Sequence, residues 1–429
     1  MNCQDMDFVI EKLGECQISS PVRNAEFVRD DATVSFLTDV GEISSILRRG
    51  HPLPAMEQAG PREKIFFNPA TLNCGIVTCG GICPGLNDVI RAIVLCLHYQ
   101  YRVKKVYGLP YGFEGLVERP ESKPIELTPE TVKTIHTMGG TILGSSRGDQ
   151  EVGEMVDFLE RHRIGLLFTI GGDGTLRGAK ALADEIGRRR LKISVVGIPK
   201  TIDNDIACTE RSFGFETAAS EACRIIDGAH NEATSARNGI GLVRLMGRDS
   251  GFIAAFATIA SGDVNFCLVP ESPFRLNGLL RALEQRLAER GHAVIVVAEG
   301  AGQELFQDAR VKDASGNLLY HDIGLLLRDE IKAHFKRNGM EINLKYIDPS
   351  YIIRSLPATP HDSAFCLLLA QEAVHAGMAG RTNLMVAYWR SSFAHVPLRL
   401  AVSQRKKIDP ASALWRSVLF TTGQSSLLA

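Results

Sequence analysis

The sequence predicts an α/β protein built from two Rossmann-like, three-layer α/β/α domains with mostly parallel sheets. From Cys74 onward, short apolar segments without polar alternation are separated by amphipathic stretches. This order is typical of parallel strands that helices cover on both faces. The chain has 429 residues, of which 45% are hydrophobic and 23% charged, so it is long enough for two such domains.

The predicted strands and helices follow one another along most of the chain. Strands are predicted at GIVT (75–78), VKKVYGL (103–109), LLFTI (166–170), ISVVGI (193–198), GIGLVRL (239–245), FCLVP (266–270) and AVIVVAE (293–299). Helices are predicted from about Asn87, from Thr175 to about Arg188, after Ser250 and from about Leu276. Residues 1–70 contain few long periodic segments. We therefore divide the chain into an N-terminal extension (1–70), two α/β domains (71–210 and 211–400) and a C-terminal tail (401–429).

Composition and charge exclude several classes of protein. The 48 Lys and Arg residues balance 49 Asp and Glu residues, which argues against a broadly basic nucleic-acid-binding protein. No apolar run reaches the roughly 18–20 residues that span a bilayer, so no membrane association is expected. The acidic N-terminus lacks the order of a signal peptide, and we expect a cytoplasmic protein.

Three turns after predicted strands carry residues suited to phosphate chemistry. The first, CGGICPGLN (79–87), follows GIVT. Its glycines let backbone amides approach an anion, and a helix N-terminus comes next. The spacing matches neither the dinucleotide-binding fingerprint nor a Walker A loop. This turn therefore predicts either an anion site or only a tight strand-to-helix connection.

The second turn, GGDGT (171–175), follows LLFTI. Its glycines leave room for a nucleoside triphosphate against bare backbone, and Asp173 can take a magnesium ion that bridges phosphates. The third turn, PKTIDND (199–205), follows ISVVGI. There Asp203 or Asp205 can accept a hydroxyl proton while Lys200 holds a phosphate. A capped glycine turn and a solvated acidic turn are the simpler alternatives.

Together and in this order, the three turns resemble those of the 6-phosphofructokinase family. Further matching segments are GTILGSSR (140–147), MGR (246–248), AEG (298–300) and YIIR (351–354). The resemblance covers most of the chain from about Cys74 to about Pro397. It implies the phosphofructokinase fold, with a donor-binding domain at 71–210 and a fructose 6-phosphate-binding domain at 211–400, the chain crossing between them near the C-terminus. It also implies a Mg²⁺-dependent glycolytic enzyme that forms a homodimer or homotetramer.

The resemblance assigns roles residue by residue. Asp203 matches the general base and Asp173 the carboxylate linked to Mg²⁺. Arg147 and Arg248 match arginines that neutralise the transferred group. The residues assigned to catalysis are Asp203, Arg248, Arg147 and Lys200; those assigned to ATP are Gly81, Phe113, Arg147, Gly148, Gly172, Asp173, Gly174 and Thr175.

The acceptor pocket is assigned in the same way. Glu299 matches a residue that binds sugar hydroxyls, and Arg354 matches one that binds the 6-phosphate. Tyr351 and Lys345 stand where short bacterial enzymes have a His and an Arg, and Arg237 is a weak match to an arginine sent to a neighbouring subunit. The full set is Thr201, Asp203, Asp205, Arg237, Met246, Gly247, Arg248, Glu299, Lys345, Tyr351 and Arg354.

The phosphoryl donor is ATP or pyrophosphate. Lys200 is typical of pyrophosphate users, whereas Gly174 is typical of ATP users, because an Asp there would repel the α-phosphate of ATP. Gly174 has no side chain and so leaves space for the nucleotide, whereas Lys200 does not exclude ATP. The two residues together therefore favour ATP as the donor. The pairing resembles the longer ATP-dependent members of the family. Pyrophosphate-dependent fructose 6-phosphate 1-phosphotransferase is the alternative activity.

Two further alternatives belong to other classes. NAD and lipid kinases share the GGDGT turn, but they lack the TIDND and MGR segments. A catalytically inactive relative would lose the base or the arginines, whereas Asp173, Asp203, Arg147 and Arg248 are all present. The sequence therefore favours an active ATP-dependent 6-phosphofructokinase.

Overall fold

The computed structural model describes residues 6–23, 25–119, 122–146, 148, 150–306 and 320–424. Arg147, which we assigned to catalysis and ATP binding, lies outside these residues. The described strands are β1 (Glu11–Lys12), β2 (Ile18–Ser19), β3 (Thr33–Ser35), β4 (Ala55–Gln58), β5 (Lys64–Ile65), β6 (Asn73–Thr78), β7 (Lys105–Leu109), β8 (Ile125–Glu126), β9 (Ile164–Gly171), β10 (Ser194–Pro199), β11 (Gly239–Leu245), β12 (Phe266–Leu268), β13 (His292–Ala298), β14 (Asn343–Ile347), β15 (Arg381–Thr382), β16 (Leu384–Trp389) and β17 (Ser392–Pro397).

The described α-helices alternate with the longer strands. They are α1 (Val40–Arg48), α2 (Leu86–Leu95), α3 (Val152–Arg161), α4 (Asp173–Arg188), α5 (Phe215–Thr234), α6 (Phe252–Ser261), α7 (Leu276–Arg290), α8 (Ile323–Arg337), α9 (Ser350–Arg354), α10 (Pro360–Met378), α11 (Leu398–Ala401) and α12 (Ala413–Thr422). Among the described residues, no helix combines the length and the apolar character needed to cross a membrane.

The chain folds into two compact units, neither of which is a single stretch of sequence. The first comprises Met1–Thr201, Ile206–Gly214 and Leu356–Gln404. The second comprises Ile202–Asp205, Phe215–Ser355 and Arg405–Ala429. The two ends of the PKTIDND turn therefore belong to different units. Thr201 ends a segment of the first unit, and Ile202 begins a segment of the second unit.

The first unit is built on a nine-stranded sheet in the order β3-β4-β17-β16-β10-β9-β6-β7-β8. The five strands from β16 to β7 are parallel, and the strands outside them pair antiparallel. Strands β6, β9 and β10 are buried almost throughout because helices cover both faces, which explains their unalternated apolar sequences.

The second unit is built on a four-stranded parallel sheet in the order β12-β13-β11-β14. Strand β13 pairs in register with β11 over its whole length, from Gly239 opposite His292 to Leu245 opposite Ala298. The sheet packs on a core from helices α7 and α8 that includes Leu279, Leu283, Leu327 and Phe335. The carboxyl ends of β11 and β13 consequently lie side by side, and the MGR and AEG segments follow them.

The N-terminal extension is part of the large sheet of the first unit. Strand β4 pairs antiparallel with β17, and β3 pairs with β4. The carboxylate of Glu57 on β4 accepts hydrogen bonds from Arg381 Nε (2.9 Å) and Arg62 Nη2 (3.3 Å), and its Oε1 lies 3.1 Å from His395 Nδ1. Burial alone would raise the pKa of Glu57, but His395 and Arg381 outweigh it and lower the pKa. The extension is thus held by buried charge as well as by strand pairing.

Candidate active site

The three glycine- and charge-bearing turns follow adjacent strands of the first unit. They come after β6, β9 and β10, which are consecutive in the parallel part of the sheet. Ligands of parallel α/β sheets bind beyond the carboxyl ends of the strands, where such turns meet. The first unit therefore brings together, at one edge of its sheet, the turns whose backbone the sequence assigned to phosphate binding.

Lys200 joins the turns of the first unit to each other. Its backbone N–H donates to Gly171 O (2.9 Å), and its Nζ donates to Gly81 O (2.7 Å). A Cβ atom on Gly80 would lie 3.4 Å from the same Nζ, so the ammonium group lies directly against the first turn. The Lys200 side chain is buried. Its charge is therefore fixed beside the backbone that the sequence assigned to phosphate binding.

In the GGDGT turn, the first glycine is closely packed and the third glycine has free space around it. A Cβ on Gly171 would lie 2.1 Å from Thr175 Oγ1, so this position requires glycine. Gly172 is the N-cap of α4, whose first residues are Asp173 and Gly174. A Cβ on Gly174 would meet nothing within 4 Å. The turn thus leaves free space at a helix N-terminus, where backbone N–H groups favour an anion.

Phe113 and the segment before Gly148 contact other parts of the donor side. The Phe113 ring packs on α4, since a Cβ on Gly178 would lie 2.4 Å from it. Ser145 Oγ donates to Gly80 O (2.5 Å), and Gly80 N donates to Ser146 O (3.1 Å). The segment that leads to Gly148 is therefore held on the first turn.

Asp173 is the carboxylate assigned to magnesium. One of its oxygens lies 3.0 Å from Arg177 Nη2, an exposed arginine one helical turn later. Because the Arg177 side chain is largely exposed to solvent, its pairing with Asp173 contributes little free energy, and a cation can replace the arginine. Within the described ranges, no group of three or more His, Cys, Asp or Glu side chains is arranged to hold a metal ion. A single carboxylate suits Mg²⁺, which keeps several waters and is usually completed by substrate phosphates.

The second unit contains a compact cluster of charged side chains. Asp203 and Asp205 are contributed by the TIDND segment, and Arg248 by the loop after β11. Glu299 directly follows β13. Ser250 Oγ donates to Asp203 O (3.2 Å), which joins the TIDND segment to the loop after β11. The backbone of that loop is tightly packed, because a Cβ on Gly300 would lie 1.9 Å from Arg248 O.

Asp203 has the electrostatic properties of a general base. Burial raises its pKa well above the ordinary value, and the carboxylates of Asp205 and Glu299 raise it further. A hydrogen bond from the Arg248 backbone and the charge of Arg405 act in the opposite direction. A carboxylate with a raised pKa accepts a proton more readily, which is what abstraction of a hydroxyl proton near neutral pH requires.

Glu299 is oriented by Arg244, a residue of β11 that the sequence analysis did not single out. Arg244 Nη2 donates to Glu299 Oε2 (3.0 Å), and Nη1 donates to Asp348 Oδ2 (2.6 Å). Burial raises the pKa of Glu299, while Arg244, Arg248 and Arg354 counteract this shift. An arginine in an otherwise apolar strand was the signal that could have identified Arg244.

Arg354 and Tyr351 lie together on the short helix α9 of the second unit. The Arg354 guanidinium carbon is 4.8 Å from the centre of the Tyr351 ring, and Tyr351 is 80% exposed. In the part of the chain that the structure describes, the buried Nε of Arg354 has no hydrogen-bond partner. A buried guanidinium nitrogen without a partner costs free energy, and an anionic ligand would satisfy it.

The remaining predicted residues lie in several different parts of the two units. Met246 and Gly247 directly follow β11, and Thr201 accepts a hydrogen bond at its carbonyl from Ser212 Oγ (2.6 Å). Lys345 is exposed on the edge strand β14, opposite Gly241. Arg237 is exposed before the amino end of β11, whereas Met246 follows its carboxyl end. The seven residues of β11 span about 23 Å, so Arg237 and Met246 are far apart within one chain.

The chain is similar in sequence to known phosphofructokinases. A model of the phosphofructokinase family matches residues 73–377. The ATP-dependent 6-phosphofructokinase of Borreliella burgdorferi is 48% identical over 98% of this chain and 97% of that protein. The ATP-dependent 6-phosphofructokinase of Amycolatopsis methanolica is 46% identical over 97% of this chain and 95% of that protein.

Solved structures show the same fold. The pyrophosphate-dependent phosphofructokinase of Marinobacter aquaeolei matches with a TM-score of 0.68 at 21% identity, over 83% of this chain and 92% of that chain. Phosphofructokinase from Saccharomyces cerevisiae matches with a TM-score of 0.61 at 23% identity, over 82% of this chain and 48% of that chain. The fold and the charged turns define an α/β protein suited to phosphate groups. The chain belongs to the phosphofructokinase family.

Proposed function

We propose that this protein transfers the γ-phosphoryl group of ATP to the 1-hydroxyl of fructose 6-phosphate, giving fructose 1,6-bisphosphate and ADP. The observation that carries the proposal is the cluster of the second unit, where the partly buried Asp203 has a raised pKa beside Arg248 and Glu299. The names of the two bacterial relatives, which are 48% and 46% identical, support this activity.

The acceptor sugar phosphate is held by side chains. The Nε of Arg354 offers an unused donor to the 6-phosphate, and Glu299, oriented by Arg244, accepts hydrogen bonds from sugar hydroxyls. Asp203 takes the proton of the 1-hydroxyl as its oxygen attacks phosphorus. Arg248 neutralises charge on the transferred group, where electrostatic stabilisation contributes most.

The donor is held mainly by backbone. Amides of the turn at Gly81 and of the first turn of α4 bind the phosphate oxygens, with Lys200 beside them. Asp173 would hold Mg²⁺, which would supply positive charge to neutralise the donor phosphates. Gly174 leaves open space for the α-phosphate of ATP. This space supports ATP rather than pyrophosphate as the donor.

One assay tests the proposal directly. Formation of fructose 1,6-bisphosphate is measured with fructose 6-phosphate and Mg²⁺, with ATP in one series and pyrophosphate in another. We expect turnover with ATP and little with pyrophosphate. Turnover with pyrophosphate alone would overturn the donor assignment and leave the acceptor and the family unaffected. No turnover with either donor would overturn the proposed activity.

We also propose that the chain forms a homodimer or homotetramer. The support is Arg237, which is exposed at the end of β11 remote from Met246. From there the Arg237 side chain cannot reach Met246 of its own chain, and we infer that it contributes to the acceptor residues of a second copy. Light scattering after size-exclusion chromatography measures the mass, and a monomer at assay concentration would contradict this assembly.

A further inference from the structure

We propose that Arg405, in the C-terminal segment, is a positioning residue that balances the charge of the Asp203–Asp205 pair and thereby sets the lowest pH at which Asp203 works as the base. This inference rests on the proposed role of Asp203. It extends the active site to a segment that the sequence analysis treated only as a tail. The contacts that carry it all lie within the second unit.

Arg405 is attached to the TIDND segment by direct contacts. Its Nη1 donates to Asp205 Oδ2 in an ion pair, and its Nε lies 3.4 Å from Asp249 Oδ2. The Asp205 side chain is only 3% exposed, so this pair is screened little by solvent. Removing one partner of a buried pair leaves an uncompensated charge, which is costly.

The backbone on either side fixes the position of the arginine. Lys406 N donates to Asp205 O (2.8 Å), and Ile408 N donates to Glu271 Oε1 (2.9 Å). Glu271 in turn accepts from Gly251 N at 3.1 Å. The C-terminal segment is therefore fastened both to the TIDND segment and to the start of α6, and the guanidinium group is held in place at the cluster.

Arg405 completes the charge balance around Asp203. The carboxylates that face Asp203 are Asp205 from the same segment and Glu299 from the end of β13. The groups that oppose them are Arg248, through its backbone, and Arg405, through its charge. Burial and the two carboxylates raise the pKa of Asp203, and Arg405 lowers it. Without Arg405, Asp203 binds its proton more tightly.

The consequence for catalysis has a definite sign. Asp203 must be deprotonated to accept the hydroxyl proton, so activity falls as the pH drops through its pKa. Loss of a neighbouring opposite charge raises a carboxyl pKa by about one unit or more. Neutralising Arg405 should therefore move the acid limb of activity upward by about one pH unit, with activity recovering at higher pH.

A structural role alone would act differently. Arg405 also contacts Asp249, whose Oδ1 accepts a hydrogen bond from Tyr320 Oη (3.4 Å). The Tyr320 ring lies 5.2 Å from the guanidinium carbon of Arg248. If Arg405 only held this loop in place, its loss would reduce activity by the same factor at every pH. The pH profile separates the two roles.

The test compares kcat/KM for fructose 6-phosphate as a function of pH in four proteins: wild type, Arg405→Gln, Arg405→Lys and Lys407→Gln. Lys407 is a neighbouring exposed cation and serves as the matched control. The titration of the sugar phosphate itself is common to all four and cancels in the comparison. We expect the acid limb of Arg405→Gln to shift upward by about one pH unit, that of Arg405→Lys to stay near wild type, and that of Lys407→Gln to be unchanged.

A second pair of variants keeps the test valid if Arg405→Gln does not fold. Asp205→Asn combined with Arg405→Gln removes both charges of the buried pair, and its acid limb should lie about one pH unit above that of Asp205→Asn alone. An unmoved limb in both comparisons, or an equal loss at every pH, overturns the inference. If Asp203→Asn retains wild-type turnover, the proposed base itself is wrong; if that variant is inactive and the limb does not move, only the role of Arg405 fails.

Discussion

In the proposed site, the turns of the first unit and the cluster of the second unit bind phosphate-bearing molecules by different means. The first unit offers glycine backbone, a helix N-terminus and one buried ammonium group, Lys200. The second unit offers charged side chains that orient one another, with Arg244 on Glu299 and Arg405 on Asp205. Backbone recognition depends on the absence of side chains, whereas the acceptor cluster depends on their exact identity. Substitutions that add atoms at a closely packed glycine, or negative charge at an open one, should damage the first, and substitutions that remove charge should damage the second.

The largest effect is expected at Asp203, the proposed base of the second unit. The reacting hydroxyl has a pKa far above neutral, so Asp203→Asn should reduce kcat by about 10²–10⁴-fold. Affinity for fructose 6-phosphate should change little, because the substitution removes a charge without removing volume. Steady-state kinetics measure kcat, and calorimetric titration measures binding. A folded variant with near-wild-type kcat would show that another group is the base.

The next effect concerns the open backbone of the first unit. Gly174→Asp places a carboxylate where the α-phosphate of ATP would lie. Two like charges at about 4 Å repel by about 4 kcal/mol at an effective dielectric of 20. This corresponds to nearly three decades of ATP affinity. A Cβ at this position meets nothing within 4 Å, so the variant should fold.

Gly174→Ala is the matched control, since it adds a methyl group without charge and should keep ATP use. Lys200→Gly tests the other residue that bears on the donor. It should lower kcat and leave the preference for ATP over pyrophosphate unchanged. We expect Gly174→Asp to lose ATP use and to gain at most weak use of pyrophosphate. Unchanged KM for ATP in Gly174→Asp would mean that the α-phosphate lies elsewhere.

A smaller and more specific effect separates two arginines of the second unit. The 6-phosphate keeps its charge during the reaction, so Arg354→Ala should raise KM for fructose 6-phosphate far more than it lowers kcat. Loss of a charged hydrogen bond of about 1.5–3 kcal/mol predicts a rise of about 10- to 150-fold. Arg248→Ala should mainly lower kcat, because its partner charge develops during transfer. The reverse pattern in initial-rate measurements would exchange the two roles.

The smallest effect compares two glycines of the same turn. Gly171→Ala forces a methyl group against Thr175, with about 2.1 Å between Cβ and Oγ1 before any relaxation. Such overpacking typically destabilises by about 1–3 kcal/mol. Gly174→Ala should be neutral or should stabilise by up to about 1 kcal/mol, because it lies in a helix with open space around it. Thermal unfolding of both variants measures the difference, and equal melting temperatures would argue against the tight turn.

The predictions from sequence succeeded where the pattern is local. Strands β6, β9, β10, β11 and β13 are continuous apolar segments, and they were identified because burial on both faces leaves no polar alternation. The α/β fold class and the family are confirmed by the architecture and the family match. The residue roles in the site stay predictions, which the experiments above address.

The antiparallel strands could not be predicted because their pairing is decided by distant segments. Strand β4 has four residues and no alternation of its own, and its partner β17 lies more than 300 residues later. Arg405 was missed for the same reason. It stands in the basic run RKK, which is typical of a solvated tail, and Asp205 is 200 residues away in sequence. Pairings of this kind appear only in the folded chain.

The position of the N-terminal extension also bears on how this protein avoids aggregation through the edges of its large sheet. The nine-stranded sheet ends in β3, with three residues, and β8, with two, and such short edge strands offer little backbone for another chain to pair with. Without β3 and β4, the edge would be β17, a six-residue strand containing Phe393, Ala394 and Val396. Removing the first 70 residues would therefore uncover a long apolar edge, and the shortened protein would be prone to aggregate through that strand even if its active-site residues were intact.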